Sequence, residues 1–359
     1  MLKVDAKELL NVMNKLEKFS NKILAESYDT YKFVIDGDSL KISVYNSKDL
    51  KLSASVKVIE SDSKFESFII SRKNLFKVLN SFKSIIYIEG VFDKNILTDI
   101  VFNDGKKKLQ VKNYIFNKEK YQDLNIVFNK RIKVDNMFTS EIFKHIKYAS
   151  REEIRPVLQA ICLKENKIVT TDSYRLCRTE LDVNYFDLEL KIPYWIIEMI
   201  KKMKEEIIYI SYESDHDCKW VALRTNDILI EARLIDGFYP DTSRLIFIES
   251  NYSTVIKSKE LNEAIKTMLS ISKNEEKDVC MNFNTNSLIK KLGNDAIFEI
   301  DFESDKQFDA EIRYNLNYMK EALEHLKGDL TFEIINDKKP FIIRDGSKTL
   351  SLILPIIKL

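Results

Sequence analysis

Residues that could do acid–base or metal chemistry are few and scattered along this chain. The three histidines, His145, His216 and His325, stand in unrelated contexts, and a lone helical histidine such as His145 is more often packed than a ligand. The four cysteines have neither zinc-ligand spacing nor a Cys-x-x-Cys pair; they are Cys162, Cys177, Cys218 and Cys280. We therefore expect no metal, no cofactor and no disulfide framework, as is usual in a reducing cytoplasm.

Two acidic pairs are the remaining candidates for catalysis. Asp36 with Asp38, or Glu152 with Glu153, could hold Mg²⁺ for a nuclease, but turn chemistry and helix-start electrostatics explain these residues more simply. Phosphate-binding, serine-hydrolase, zinc-protease and EF-hand motifs are absent, and only 7 glycines occur. We expect a protein that is not an enzyme. The open alternative of a metal-dependent nuclease predicts Mg²⁺-dependent cleavage of DNA.

The length and the net charge of the chain limit which class of protein it can be. A chain of 359 residues corresponds to two or three domains. Its 57 Lys and Arg nearly cancel its 56 Asp and Glu, so contact with a polyanion would need segregated charge. No apolar run of membrane-spanning length occurs, and the first residues, MLKVDAKELL, are charged. We expect a cytoplasmic protein with no membrane partner.

The same unit recurs three times along the chain. One amphipathic helix pattern begins at Leu75 and returns 121 residues later at Ile196 and 123 residues after that at Met319. A strand sequence follows each helix, at 85–88, 207–210 and 330–334, and a second helix pattern precedes each, with Asp5, Ser140 and Ser258 as N-caps. Two helices and many short antiparallel strands per unit predict an α+β fold with domains 1–128, 129–249 and 250–359.

Basic residues concentrate on the predicted helices. The segment 71–83, SRKNLFKVLNSFK, carries four cations and no acid, while acidic residues dominate strands and loops. Lysines on one helix are usually just solvated, but three equivalent units could place theirs on one surface. A positively charged surface of this kind contacts DNA phosphates without recognising the base sequence.

Five segments resemble one family, the beta subunits of bacterial DNA polymerase III, which are replicative DNA sliding clamps. The segments are YASREEIRPVL (148–158), VTTDSYRL (169–176), DGFYPDTSRL (236–245), NLNY (315–318) and LILPIIKL (352–359). The resemblance spans the whole chain. It implies a head-to-tail homodimer that closes a ring of six similar domains, with twelve helices lining a central hole for duplex DNA.

The resemblance also implies what the ring does and where it acts. A ring held loosely on DNA, independent of base sequence, would tether the polymerase III alpha subunit, the clamp loader and other proteins with a clamp-binding motif. It would be a bacterial, nucleoid-associated processivity factor without catalytic activity. The residues implied to face DNA are Lys22, Lys73, Lys77, Arg151, Lys201, Lys202 and Lys273.

Two further sites follow from the same resemblance. The ring joint would place Leu109 and Val111 against Met268, Leu269 and Ile271 of the other copy. A pocket for short, apolar-ended partner peptides would be lined by Arg155, Leu158, Thr171, Ser173, Tyr174, Arg175, Leu176, Pro240, Arg244, Leu245, Asn315, Tyr318, Pro340, Leu352, Leu354, Pro355 and Ile356.

The sequence departs from the family pattern at this pocket. Ser173 and Tyr174 stand where the family commonly has Gly-His, and Ile357 stands where it usually has arginine. These departures leave open a specialised second clamp, and also an interaction scaffold descended from clamps that does not encircle DNA.

Overall fold

A computed structural model describes residues 1–23, 30–46, 49–114, 126–213, 218–246, 249–272, 278–292 and 296–357. Within these ranges the chain forms six α-helices, and short 3-10 helices occur at Ile146–Tyr148, Pro156–Gln159 and Ser243–Leu245. The α-helices are α1 (Ala6–Ile23), α2 (Leu75–Leu79), α3 (Asn136–His145), α4 (Tyr194–Lys202), α5 (Ser258–Ile271) and α6 (Leu316–Leu323).

The strands of the described ranges pair antiparallel throughout. In chain order they are β1 (Leu2–Asp5), β2 (Thr30–Asp36), β3 (Ser39–Asn46), β4 (Leu50–Ser61), β5 (Ser67–Ser71), β6 (Ile85–Asp93), β7 (Ile96–Asn103), β8 (Lys108–Lys112), β9 (Lys130–Lys133), β10 (Ala160–Glu165), β11 (Lys167–Thr171), β12 (Arg175–Glu180), β13 (Phe186–Pro193), β14 (Tyr209–Tyr212), β15 (Trp220–Arg224), β16 (Leu229–Arg233), β17 (Tyr252–Lys257), β18 (Asp278–Asn282), β19 (Ser287–Leu292), β20 (Ala296–Asp301), β21 (Glu311–Asn315), β22 (Asp329–Ile334), β23 (Phe341–Arg344) and β24 (Thr349–Ile353).

The first of two compact units comprises Met1–Asn136 and Met199–Leu234. Its twelve described strands form one sheet along the path β8-β7-β6-β1-β4-β16-β15-β14-β9, and β2, β3 and β5 join it beside β4. The amphipathic helix α1 packs on this sheet because Leu9, Met13 and Leu16 recur on one face and are all fully buried.

The second unit comprises Met137–Glu198 and Ile235–Leu359. Its described strands form an eight-stranded sheet, β13-β10-β11-β12-β24-β23-β22-β17, and a four-stranded sheet, β20-β19-β18-β21. Helices α5 and α6 pack together, and their apolar faces share one core with both sheets. The three-domain division at 128 and 249 stays a prediction.

The helix predictions are confirmed in type and less accurate at the ends. Asp5 is a cap, since its Oδ1 accepts a hydrogen bond from the backbone N–H of Glu8 at 2.9 Å. Ser140 is not, because α3 begins at Asn136 and the Ser140 hydroxyl donates to the Met137 carbonyl at 2.8 Å inside the helix. Ser258 is also not a cap, since it is the first residue of α5.

The strand sequence predicted at 207–210 enters the sheet only at Tyr209, where β14 begins. A tight turn follows β7 and leads to β8: Gly105 has φ +87°, and its N–H donates to the Asn103 side chain at 2.8 Å.

The described residues contain neither a membrane-spanning helix nor a cluster of metal ligands. None of the helices there is long and apolar enough to cross a membrane. In the same part of the chain, no three His, Cys, Asp or Glu side chains are grouped so that they could hold a metal ion.

Candidate peptide pocket, basic helices and edge strand

A cavity of about 300 Å³ lies on the second unit, where several of the predicted peptide-binding residues meet. Of the predicted pocket it contains Arg155, Leu158, Ser173 and Tyr174. The remaining lining comes from Ser150, Glu152, Ile154 and Asp172. The structure therefore brings together two of the motif segments, 148–158 and 169–176.

The turn between β11 and β12 forms one wall and is held by its own polar groups. The Asp172 carboxylate accepts from the backbone N–H groups of Tyr174 and Arg175, each at 3.0 Å. The Thr171 hydroxyl donates to the Arg175 carbonyl at 2.6 Å and accepts from the Ser173 N–H at 3.1 Å. This network leaves the Tyr174 side chain exposed at the rim.

A tyrosine from the 236–245 segment anchors the same turn. The backbone N–H of Thr171 donates to the Tyr239 hydroxyl at 3.0 Å. Burial, the largest cause, raises the pKa of Tyr239 far above its ordinary value, so the hydroxyl stays protonated. Tyr239 was not among the predicted pocket residues, although it lies inside a matching segment.

Arg175 is enclosed by protein groups. Only 7% of its surface is exposed, and its guanidinium donates to Asp172 at 3.0 Å, to the Lys147 carbonyl at 2.5 Å and to the Glu321 carboxylate. Its Cζ lies 4.3 Å from the centroid of the Tyr318 ring. Burial alone would lower the pKa of Arg175, but hydrogen bonds to Glu321 and Asp172 raise it, so the cation is retained.

Arg175 is therefore a positioning residue that orients Tyr318 and the turn. Its partner Glu321 was not anticipated, because the two lie 146 residues apart and no local pattern links them. Asp172 lies in the segment 169–176, and the tendency of aspartate to form turns could have indicated its role there.

The C-terminal segment adjoins the Tyr174 wall of the cavity. Leu352 of β24 pairs with Leu176 of β12, and both belong to a small buried cluster against which Leu354 packs. The Leu354 N–H donates to the Tyr174 carbonyl at 2.9 Å, which ties the segment to the pocket wall. Beyond it, Pro355 is half-buried and Ile356 is exposed.

The other predicted pocket residues occupy different settings. Asn315 caps α6, its side chain accepting from the Asn317 N–H at 2.9 Å. Pro240 lines a neighbouring cavity of about 250 Å³, together with the end of β11 and the 239–243 loop. Arg244 and Leu245 are exposed, and Pro340 is half-buried.

The backbone of Ser173 has a positive φ of +79°, a conformation that favours glycine. We expect Ser173→Val to lower the free energy of unfolding by about 2 kcal/mol and Ser173→Gly to change it by less than about 1 kcal/mol, because a β-branched side chain clashes with its own backbone there. Urea denaturation measures both. The control is Ser253→Val at an exposed position of β17, which should be tolerated. A Ser173→Val variant as stable as the control would contradict the backbone argument.

The basic residues predicted to face DNA divide between the two units. Lys73, Lys77, Lys201 and Lys202 belong to the first unit, in or next to α2 and α4, and are exposed. Lys22 lies in α1, but its side chain is outside the described part of the structure, and Lys273 is outside the described residues altogether.

Arg151, on the second unit, makes contacts within the protein. Its Cζ lies 3.7 Å from the Tyr194 ring centroid, and its guanidinium donates to the Ile146 carbonyl at 3.2 Å. About half of its side chain remains exposed, so the charge is still presented to solvent.

The residues predicted for the ring joint have unequal exposure. Leu109 and Val111 are half-buried on β8, which ends the sheet of the first unit and, within the described residues, pairs only with β7. Leu269 and Ile271 are half-buried near the end of α5. The prediction is wrong for Met268. This residue lies on the inward side of α5 and is 0% exposed in the core of the second unit, so its side chain cannot contact another copy there.

Comparisons with known proteins agree with this geometry. No family model matches the sequence. The "Beta sliding clamp" of Chlamydia muridarum is 24% identical over 241 residues, which is 63% of this chain and 64% of that protein. The protein of the same name from Lactococcus lactis is 25% identical over 336 residues, 80% of this chain and 86% of that protein. The matches to the chlamydial relatives thus span slightly less than two thirds of those proteins.

Solved structures match along the whole chain. The DNA polymerase sliding clamp from Bacillus subtilis has a TM-score of 0.82 at 17% identity, covering 100% of this chain and 99% of that one. The beta subunit from the DNA polymerase of Streptococcus pyogenes has a TM-score of 0.84 at 17% identity, covering 99% and 100%. The fold is therefore that of the sliding clamps. The resemblance found in the motifs, to the beta subunits of bacterial DNA polymerase III, is confirmed by the relatives and by the solved structures.

Proposed function

We propose that the protein is a DNA sliding clamp that encircles duplex DNA and tethers the replicative polymerase and other partners. The observation that carries this proposal is the match to clamp structures over essentially the full length of both chains. The clamp acts as a processivity factor without making or breaking bonds, and it works in the bacterial cytoplasm, on the nucleoid.

Sequence-independent contact with DNA is assigned to the exposed lysines of the first unit. Lys73 and Lys77 carry their charge at α2, and Lys201 and Lys202 carry theirs at the last turn of α4. Lysine ammonium groups act as mobile point charges, which suits phosphate contacts that must break and re-form during sliding. Arg151 contributes from the second unit.

Ring closure is assigned to an edge strand of each unit. Among the described strands, β8 ends one sheet and β20 ends another, so both present backbone N–H and C=O groups at an edge. Such an edge is a template for a strand from another chain. Leu109 and Val111 would then meet Leu269 and Ile271 of a second copy in a head-to-tail homodimer.

Partner proteins are assigned to the cavity on the second unit. Leu158 lines the cavity and half-buried Leu354 adjoins its Tyr174 wall, so these two offer apolar atoms to the end of a short peptide, and Arg155 and Tyr174 offer polar groups that orient it. The polymerase III alpha subunit and the clamp loader are the partners that a clamp of this class requires.

The test is topological. Protein loaded onto nicked circular plasmid by the clamp loader of its own host should co-elute with the DNA, and cutting the plasmid at one site should release it. A Leu109→Asp, Val111→Asp variant, which cannot close the ring, should not be retained. Retention that survives linearisation would contradict encirclement.

The same assay separates the alternatives. If the loader retains a Bacillus subtilis clamp but not this protein, the protein is a scaffold that does not encircle DNA. Plasmid that stays intact with Mg²⁺ through a long incubation argues against a nuclease.

A further inference from the structure

Two large apolar side chains next to the peptide cavity are almost completely exposed. Phe238 is 97% exposed and Ile154 is 85% exposed, the two highest values among the large apolar residues that the structure describes. Isolated exposed apolar residues are common on protein surfaces, but these two stand on neighbouring loops of one unit, and we call them together the patch.

The two loops touch each other. A Cβ built on Gly237 would lie 3.7 Å from the Cβ of Val157, so the chain just before Phe238 runs against the 3-10 helix that follows Ile154. Gly237 has φ +107°, a conformation that glycine adopts freely and that sets the direction in which the chain leaves this contact.

The patch is continuous with the cavity. Ile154 lines the cavity together with Leu158 and Tyr174, and Tyr174 is itself 58% exposed. The Phe238 loop is bonded to the cavity wall one residue further on, through the Tyr239 hydroxyl and the Thr171 N–H. A ligand that leaves the cavity past Ile154 would approach the Phe238 loop.

The charge beside the patch is acidic. Glu152 and Glu153 precede Ile154 directly, both are exposed, and neither carboxylate forms an ion pair within the described residues. Arg155, on the other side, is already hydrogen-bonded to the Ser173 hydroxyl at 3.2 Å. A ligand residue that packs on Ile154 therefore gains from a neighbouring cation.

We propose that Phe238, next to Ile154 at the rim of the peptide pocket, forms a second contact site beyond the pocket that selects partner peptides with a large apolar side chain and an adjacent Lys or Arg beyond the segment seated in the pocket. This inference rests on the proposed clamp function and names the chemistry of the partners at that site. The occupant is a linear peptide of a partner protein, and the extra contact gives this clamp its own preference among partners.

Three fluorescein-labelled peptides test the site by anisotropy titration. The core probe is a hexapeptide ending in Leu-Phe; the other two carry Gly-Lys-Trp added at its N-terminus or at its C-terminus. We expect one extended peptide to bind about fivefold to tenfold more tightly than the core probe, since burying an indole contributes roughly this much. The same extension with Glu in place of Lys should lose part of the gain.

The variant Phe238→Thr should remove the gain and leave the affinity for the core probe within twofold. Val183→Thr, at an exposed apolar position elsewhere in the same unit, is the matched control and should keep the gain. Both substituted residues are exposed, so the fold should be unaffected. Circular dichroism checks this.

Three results would overturn the inference. Equal binding of core and extended peptides by the unmodified protein would exclude the second contact while leaving the pocket intact. A gain that the Phe238→Thr variant retains would place the contact elsewhere. Failure of every peptide to bind would remove the pocket and the second contact together, and the plasmid assay would then decide separately whether the protein is a clamp.

Discussion

Replacing Arg175 with alanine is expected to lower the free energy of unfolding of the second unit by about 3 to 5 kcal/mol. The substitution leaves the Asp172 and Glu321 carboxylates without the buried cation that compensates them. It also removes the donor to the Lys147 carbonyl and the cation that packs on the Tyr318 ring. This is the largest loss of stability that a single residue of the pocket should cause.

Urea denaturation followed by tryptophan fluorescence and circular dichroism measures the effect. Arg175→Lys should restore only part of the stability, because an ammonium group cannot reproduce the planar fork that reaches Asp172 and Glu321 together. Arg155→Ala is the matched control: the Arg155 side chain is exposed and, among the described residues, forms one hydrogen bond, to Ser173, so its removal should cost less than about 1 kcal/mol. Similar destabilisation by Arg175→Ala and Arg155→Ala would show that the buried network contributes little.

Reversing the charge of Lys73, Lys77, Lys201 and Lys202 to glutamate should abolish retention on circular DNA. Four cations become four anions on the surface assigned to the phosphates, so attraction becomes repulsion. Direct binding to a 30-base-pair duplex should also weaken at least tenfold at low salt. The logarithmic slope of affinity against salt should become shallower by about 0.9 for each phosphate that the variant no longer neutralises.

Fluorescence anisotropy between about 50 and 200 mM salt measures the slope, and the loader assay measures retention. The control reverses four exposed lysines elsewhere on the first unit, Lys57, Lys64, Lys94 and Lys219. It changes net charge equally, so it separates a local surface from the overall field. Equal weakening in both variants would reject the assigned DNA surface, and unchanged binding in the helix variant would do the same.

The helices were predictable because their signal is local. Apolar residues at helical spacing bury one stripe wherever the chain lies, and α1, α5 and α6 form with that stripe in the core. The ends were less predictable, since a capping residue must stand directly before the first residue of its helix. Asp5 stands there and Ser140 lies inside α3, although both are good capping residues.

The candidate pocket was predictable in its segments and less so in the roles of its residues. Motif order brought together Arg155, Leu158, Ser173 and Tyr174, which do line one cavity. Arg175, in contrast, is taken up by internal bonds. Whether a charged side chain meets a ligand or a buried carboxylate depends on what packs over it, and residue type does not encode that.

The sequence by itself determined the elements and their threefold recurrence, because helix periodicity, strand alternation and turn residues act over a few neighbours. Only the tertiary structure decided how the strands assemble. Strands β14–β16 join the sheet of β4 in the first unit, while β10–β13 join the sheet of β24 in the second, although all seven were predicted to belong to one middle domain. Strand pairing uses backbone groups that nearly every residue shares, so partners such as Leu176 and Leu352 are selected by the packing of the whole sheet rather than by their local sequence.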